Sequence, residues 1–193
     1  CMKVNGSSCA LKGDCASSFC TDGVCCATNS CPAGSRCDWS GANGTCKKHL
    51  GGACADAADC ASGFCIDGVC CDTLCDGLCA ACRGDLKVDG VSGTCGFAKE
   101  GSDTRDDCLA DEPTTCQRDG TCDGAGRCKK YAKGTSCGAD VCSGNRAVAR
   151  VCDGIGGCGE AAVGIDCAPY VCDLSKGACT DSCARDVDCT GFA

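Results

Sequence analysis

The chain has 193 residues, a formal net charge of −8, 31 cysteines, and only 25 leucine, isoleucine, valine and phenylalanine residues together. So few apolar side chains cannot offset the conformational entropy of folding, which excludes an ordinary globular domain with a large hydrophobic core. The acidic charge argues against a nucleic-acid partner, and no apolar run of about 20 residues is present to span a membrane.

Cysteine makes up about 16% of the chain, a level typical of a disulfide scaffold. Each disulfide that closes a short loop contributes roughly 2–4 kcal/mol, so many of them can replace a core. Such bonds persist in oxidising compartments, which predicts a secreted or cell-surface protein. We therefore expect a small disulfide-rich fold of short β-hairpins and loops, in a tandem, elongated repeat array with little regular secondary structure.

The predicted elements begin with a repeat of 45 residues. The segment GDCASSFCTDGVCC at 13–26 returns as ADCASGFCIDGVCC at 58–71. Periods of this length are typical of modular arrays, and we expect one unit over 1–46 and a longer one over 47–95. The structural disulfide positions in these units are Cys9, Cys15, Cys20, Cys25, Cys26, Cys54, Cys60, Cys65, Cys70 and Cys71.

Turn and core positions repeat with the cysteines. Asp22-Gly23 and Asp67-Gly68 predict tight hairpin turns between half-cystines. Phe19 and Phe64 precede the same cysteine in the two units, so we expect them to be the apolar plugs.

Residues 96–116 form a charged connector between the two kinds of repeat. Within it, DTRDDCLADE is the stretch that favours a helical turn or two, beginning at Ser102 or Asp103.

Residues 117–179 carry two units of 30 residues, each opening with a hairpin motif. The motif reads CDGAGRC at 122–128 and CDGIGGC at 152–158, and it predicts a strand, a glycine turn and a cysteine on the return strand. RAVARVC at 146–152 also favours strand structure. The disulfide positions here are Cys122, Cys128, Cys137, Cys142, Cys152, Cys158, Cys167 and Cys172.

Equivalent cysteines should pair equivalently, because repeats of one pattern should share one local topology. We expect the pairing to be reproduced 45 residues later in the first pair of units and 30 residues later in the second. The adjacent cysteines Cys25–Cys26 and Cys70–Cys71 should not bond to each other, since adjacent residues place their sulfurs badly for a disulfide.

Both ends of the chain fall within the repeat pattern. Cys1 occupies the repeat position of Cys46, and 180–193 restarts the first motif, so we interpret the chain as an interior piece of a longer repeat protein. The alternative for Cys1 is a lipid-bearing cysteine of a bacterial lipoprotein. Asn5 and Asn43 begin sequons that could carry sugar in a eukaryotic secretory pathway.

Residues that carry chemistry are scarce. The chain has one C-x2-C pair, Cys79 to Cys82, and one histidine, His49, which argues against zinc sites, haem attachment and acid–base catalysis. We predict no enzyme activity, no cofactor and no metal at thiols. Aspartate-rich loops at 55–60, 102–107 and 184–189 offer oxygen ligands for calcium, but solvated turns are the favoured interpretation.

The tripeptide Arg83-Gly84-Asp85 follows a cysteine directly. Animal disintegrins present such a tripeptide to integrins, and IDGVCCDTLC at 66–75 has a faint likeness to that family. Chance occurrence in a chain rich in glycine and aspartate is the favoured explanation.

The motif DC-x-SGFC-x-DGVCC, with CDGAG-x-C and CAPYVCD at 167–173 downstream, resembles cysteine-rich repeats in secreted and surface proteins of myxobacteria and related bacteria. That resemblance implies export and long surface-associated proteins, without a defined activity. The C-x5-C-x4-C opening is more weakly similar to Dickkopf-type and EGF-like cysteine-rich modules, which are extracellular binding modules.

These features predict an extracellular structural protein, a disulfide-stapled segment of a fibre, stalk or adhesin-like surface protein. The alternative is an extracellular module that recognises a protein or glycan through its inter-cysteine loops. Self-association or packing against neighbouring modules is expected, and aromatic residues outside the repeat core are the candidates for that interface. They are Trp39, Phe97, Tyr131 and Tyr170.

Overall fold

A computed structural model describes residues 1–183 and divides the chain into two compact units. The first unit contains residues 1–105 and 124–127, and the second contains 106–123 and the described residues from 128 onward. Short antiparallel hairpins dominate both units and many disulfides crosslink them internally, which confirms the predicted disulfide-rich fold. Helical segments in the described residues are 3₁₀ turns of three residues, too short to cross a membrane.

The first unit contains four two-stranded hairpins and three 3₁₀ turns. The turns lie at Lys12–Asp14, Ala57–Asp59 and Gly84–Leu86. The strands are β1 (Cys20–Thr21), β2 (Val24–Cys25), β3 (Ser35–Arg36), β4 (Lys47–Lys48), β5 (Cys65–Ile66), β6 (Val69–Cys70), β7 (Ala80–Ala81) and β8 (Gly96–Phe97). They pair as β1–β2, β3–β4, β5–β6 and β7–β8.

The second unit begins with a 3₁₀ turn at Pro113–Thr115 and continues as hairpins. Its strands are β9 (Arg118–Cys122), β10 (Cys128–Lys130), β11 (Val141–Ser143), β12 (Arg146–Val148), β13 (Arg150–Cys152), β14 (Cys158–Glu160), β15 (Ile165–Asp166), β16 (Cys172–Asp173) and β17 (Ala178–Cys179). Strands β11, β12 and β15 form one three-stranded sheet, and the others pair as β9–β10, β13–β14 and β16–β17.

Cystine forms most of the buried interior. Among the described residues, Val69, Val148 and Lys87 are the only buried side chains larger than cysteine. Phe64 packs against the first-unit core around Val69, as the repeat pattern predicted. Every described cysteine except Cys1 is disulfide-bonded.

Backbone hydrogen bonds of the first 45-residue repeat are found again 45 residues later, in the second repeat. Lys3 bridges Cys15 in parallel, and Lys48 bridges Cys60 in the same way. Both predicted hairpin turns form, with positive φ at Asp22, Gly23, Asp67 and Gly68. The sequence repeat is therefore a repeat of structure.

Disulfide pairing in the 45-residue repeats is duplicated as predicted. Neither adjacent pair is bonded to itself. The first copy pairs Cys9–Cys20, Cys15–Cys25, Cys26–Cys37 and Cys31–Cys46. The second pairs Cys54–Cys65, Cys60–Cys70, Cys71–Cys82 and Cys75–Cys95.

The prediction of identical pairing in the 30-residue units is wrong. Cys137 bonds Cys158, whereas Cys167, which lies 30 residues after Cys137, bonds Cys179. The reason is a break in the repeat: β17 carries Cys179, but the residue 30 positions earlier, just after β12, is Ala149. Cys137 therefore bonds Cys158 in the return strand of the β13–β14 hairpin instead.

One kind of staple recurs in both repeat types. In each case one cysteine precedes a hairpin in the sequence, and its partner lies in, or next to, the second strand of that hairpin. These second strands are β4, β8, β10, β14 and β17. The five staples are Cys31–Cys46, Cys75–Cys95, Cys108–Cys128, Cys137–Cys158 and Cys167–Cys179.

The predicted helical turn in the connector is also wrong. Residues 102–111 contain no helix, and Asp106 has a φ of 54°, which interrupts right-handed helical geometry. Asp111 instead pairs with Arg118: its N–H donates to the Arg118 carbonyl at 2.9 Å, and its carboxylate accepts from the guanidinium.

Candidate functional site

The junction between the two 45-residue repeats is built on a shared strand. Lys48 in β4 pairs with Ser35 of the first repeat and bridges Cys60 of the second. The N–H of Ala61 donates to the Lys48 carbonyl at 3.0 Å, and the Lys48 ammonium lies 3.7 Å from the Asp59 carboxylate. One short segment thus belongs to both repeats and fixes their contact.

Gly41 allows the two repeats to approach each other closely. A Cβ at this position would overlap the carbonyl oxygen of Ala61 in the second repeat. Gly41 also has a φ of +85°, which favours glycine. Any larger residue would therefore strain the turn and push the repeats apart.

A cleft of about 350 Å³ opens at this junction. We refer to it as the junction cleft. It is lined by Trp39, Ser40, His49, Leu50, Ala61, Ser62 and Asp72.

Fixed polar groups surround the apolar lining of the junction cleft. The ring centroids of Trp39 and His49 lie 4.2 Å apart. The Asp72 carboxylate accepts from the Cys95 N–H at 2.8 Å, and the Ser62 hydroxyl oxygen accepts from the Phe64 N–H at 3.4 Å. The indole Nε1 of Trp39 is buried and has no hydrogen-bond partner.

A second cavity, of about 520 Å³, lies in the longer repeat and is mostly apolar. Leu74, Leu78 and Phe97 line it, and each of these side chains is about half exposed. Phe97 also contacts the backbone of Gly126, where an added Cβ would meet the phenyl ring.

The four aromatic residues predicted for an interface have different surroundings. Trp39 lines the junction cleft and Phe97 lines the second cavity. Tyr131 packs on the cystine cluster of Cys116 and Cys152, and its hydroxyl donates to the Asp111 carbonyl at 2.8 Å. Tyr170 is partly exposed, and its carbonyl accepts from the Asn145 side chain at 3.0 Å.

The two charged side chains of the Arg83-Gly84-Asp85 tripeptide bind each other. The Arg83 Nε donates to the Asp85 carboxylate at 2.6 Å, and this bond lowers the pKa of Asp85. Gly84 is buried, and its N–H donates to the Ser92 hydroxyl at 2.8 Å. The two charged groups bind each other, so this geometry gives no support to integrin recognition.

Carboxylates in the aspartate-rich loop at 55–60 cap a backbone turn. Asp56 accepts from the Ala58 and Asp59 N–H groups, and Asp59 accepts from the Ala55 N–H at 2.8 Å. The bond from Ala55 lowers the pKa of Asp59, and bonds from the Ala10 and Leu11 N–H groups lower that of Asp14. The third predicted loop, 184–189, lies outside the described residues.

Several cysteine sulfurs lie close enough together to suggest a metal site. The sulfurs of Cys26, Cys31, Cys37 and Cys46 are all within 4.8 Å of one another. These four residues form two disulfides, so no thiolate is available to bind a metal ion.

No family model, curated protein or solved structure matches the chain.

Two features were missed by sequence reasoning. Lys87 is fully buried, with its ammonium bonded to Asp89 and to the carbonyl and hydroxyl of Thr94. No pattern signals a buried lysine. The junction cleft did have a signal in the sequence, because three of its residues break the 45-residue repeat. The residues 45 positions from Trp39, His49 and Leu50 are Gly84, Val4 and Asn5.

Proposed function

We propose that the chain is an extracellular structural segment, a stiff disulfide-stapled repeat of a fibre, stalk or adhesin-like surface protein. The observation that carries the proposal is the shared strand at the repeat junction. Because Lys48 is bonded to both repeats, the first 45-residue repeat holds the second by backbone hydrogen bonds in addition to the chain connection. Repeats joined in this way suit a spacer that must transmit force.

The disulfides support the same role. Their loops are short, since the bonded cysteines of the first repeat have sequence separations of 10 to 15. Crosslinks at this density restrict local unfolding, on which proteases depend. Disulfides throughout the described residues are consistent with an oxidising, extracellular location.

Immunogold electron microscopy of unpermeabilised producing cells tests the location and the assembly together. The proposal expects gold on extracellular filaments or on the cell surface, together with fibres in negative-stain images of the purified protein. Label confined to the cell interior, with the cysteines trapped as free thiols, would contradict it.

A glycine pair provides a matched test of the junction. Gly41→Ala places a methyl group against the Ala61 carbonyl, whereas Gly34→Ala, at a similar φ of +78°, meets nothing within 4 Å. Both variants carry similar backbone strain. Fibres of the protein should be shortened or lost in the Gly41 variant and unchanged in the Gly34 variant, and equal behaviour would argue against a role for the junction.

The second candidate is an extracellular ligand-binding module. The junction cleft and the second cavity favour it, since concave sites with an apolar lining and a few fixed polar groups are typical of ligand pockets. Dispersed single particles in the same micrographs, with saturable binding of a ligand, would place this candidate ahead of the structural one.

A further inference from the structure

The junction cleft contains residues that the repeat scaffold does not require. Most of the paired cysteines, the Asp-Gly turns and the bridge of a lysine to a cysteine recur at 45-residue spacing, but Trp39, His49 and Leu50 do not. Their counterparts, Gly84, Val4 and Asn5, share neither size nor chemistry with them. These three side chains are therefore free to serve a purpose particular to this junction.

The cleft also contains an unmatched hydrogen-bond donor. Trp39 Nε1 is buried without an acceptor, although a buried indole N–H normally finds one. The Tyr131 hydroxyl, in the second unit, follows the usual rule by donating to the Asp111 carbonyl. The scaffold alone thus leaves the one polar group of this cleft-lining side chain unsatisfied.

The other polar side chains of the cleft are held in place by hydrogen bonds but can still form further hydrogen bonds. The Ser62 hydroxyl oxygen accepts from Phe64, which leaves its hydrogen to donate. His49 Nδ1 lies 3.0 Å from the Leu50 carbonyl, which leaves Nε2 for another partner. Asp72 is oriented by its bond from Cys95 and adds a charged acceptor.

We propose that the junction cleft binds one unit of a neutral saccharide. A pyranose ring has an apolar C–H face suited to an aromatic and aliphatic lining, and its hydroxyls both donate and accept hydrogen bonds. A cavity of about 350 Å³ is large enough for one such ring. The Asp72 carboxylate and the net charge of −8 disfavour anionic ligands. This inference does not depend on the proposed structural role.

Trp39 is the only tryptophan of the chain, so its fluorescence reports on the cleft directly. We would titrate the full chain with tetrasaccharides of glucose, N-acetylglucosamine, galactose and mannose, and with choline chloride as a cationic probe. At least one neutral tetrasaccharide should change the emission saturably below about 10 mM. The proposal is overturned if none does, or if only choline does.

Two variants and a matched control locate the binding by calorimetry. Trp39→Phe replaces the indole with a smaller ring, and the reduced stacking face should raise Kd about tenfold. Ser62→Ala should raise Kd at least about threefold. Ser17→Ala is the control, because Ser17 lies 45 residues earlier and its hydroxyl oxygen accepts from Phe19 at the same 3.4 Å.

The control variant should leave Kd unchanged. Intact mass would verify that each variant keeps its disulfides, and the Ser62 variant carries the test if the Trp39 variant fails to fold. Equal weakening by Ser17→Ala and Ser62→Ala, or no weakening by either cleft variant, would contradict the assignment. Loss of saccharide binding with fibres intact would leave the structural role standing, so the two proposals can fail separately.

Discussion

Asp22 and Asp67 each have two structural roles, one in their own hairpin turn and one at the hairpin that follows. Both have positive φ, which aspartate tolerates better than most residues. Their carboxylates also accept backbone N–H bonds from Cys37 at 2.9 Å and from Cys82 at 2.6 Å. Each turn residue therefore also fixes the opening of the next hairpin.

Replacing Asp67 tests this second purpose. Asp67→Ala should lower the free energy of unfolding by about 1–3 kcal/mol, because the buried Cys82 N–H loses its acceptor. Asp67→Asn keeps an acceptor oxygen and tolerates the same φ, so it should lose less. Denaturant unfolding without reductant measures both, and an equal loss in the two variants would show that the hydrogen bond is unimportant.

Capping carboxylates also predict a response to acid. The bond from the Ala55 N–H lowers the pKa of Asp59 below 3.8 in the folded protein. Its stabilising effect is therefore complete above the unfolded pKa and is lost as the pH falls through the folded pKa. The Ala55 amide proton, followed by NMR, should titrate with a midpoint below 3.8. In Asp59→Asn this titration should disappear. A midpoint above 3.8 in the unsubstituted protein would contradict the account.

At the scale of elements, the hairpin and its staple form the recurring unit. Strands of two or three residues are too short to be stable alone, and a disulfide to the return strand compensates for this. The longest hairpin loop of the first unit, 82–95, is held by Cys75–Cys95 and by the buried ammonium of Lys87.

Removing this staple should expose Lys87. In the double variant Cys75→Ser, Cys95→Ser the loop is no longer closed, which should lower the free energy of unfolding by about 3 kcal/mol. Trypsin should then cleave after Lys87, which is fully buried in the native protein. Removing Cys9–Cys20 in the first repeat is the control and should leave Lys87 protected. Cleavage in both variants would show that the repeats do not unfold separately.

The elements that could be predicted from the sequence are those that local chemistry determines. Asp-Gly turns and the first three disulfides of each copy follow from turn geometry and from a repeat that preserves the spacing of those six cysteines. Cys167 pairs differently from Cys137 because its partner Cys179 has Ala149 as its counterpart 30 residues earlier, a departure from the repeat that the expectation of identical pairing did not include. The connector favoured a helix locally, but the contact of Asp111 with Arg118 decided its structure. Lys87 and the junction cleft likewise arise from tertiary contacts.

At the scale of the whole molecule, cystine takes the place of a hydrophobic core. Stability should then depend on oxidation more than on apolar packing, since Val69 and Val148 are the only buried aliphatic residues larger than alanine in the described part of the chain. The proposed structural role depends on this property, because a scaffold outside the cell must remain folded without chaperones.

Disulfide mapping of the unreduced protein by mass spectrometry tests this central claim most directly. The account predicts Cys9–Cys20, Cys15–Cys25 and Cys26–Cys37, with the same three bonds 45 residues later. It also predicts that no described cysteine other than Cys1 reacts with a thiol reagent in denaturant. Different pairing in the two copies, many reactive thiols, or a metal bound at the cysteines would contradict the disulfide-stapled repeat.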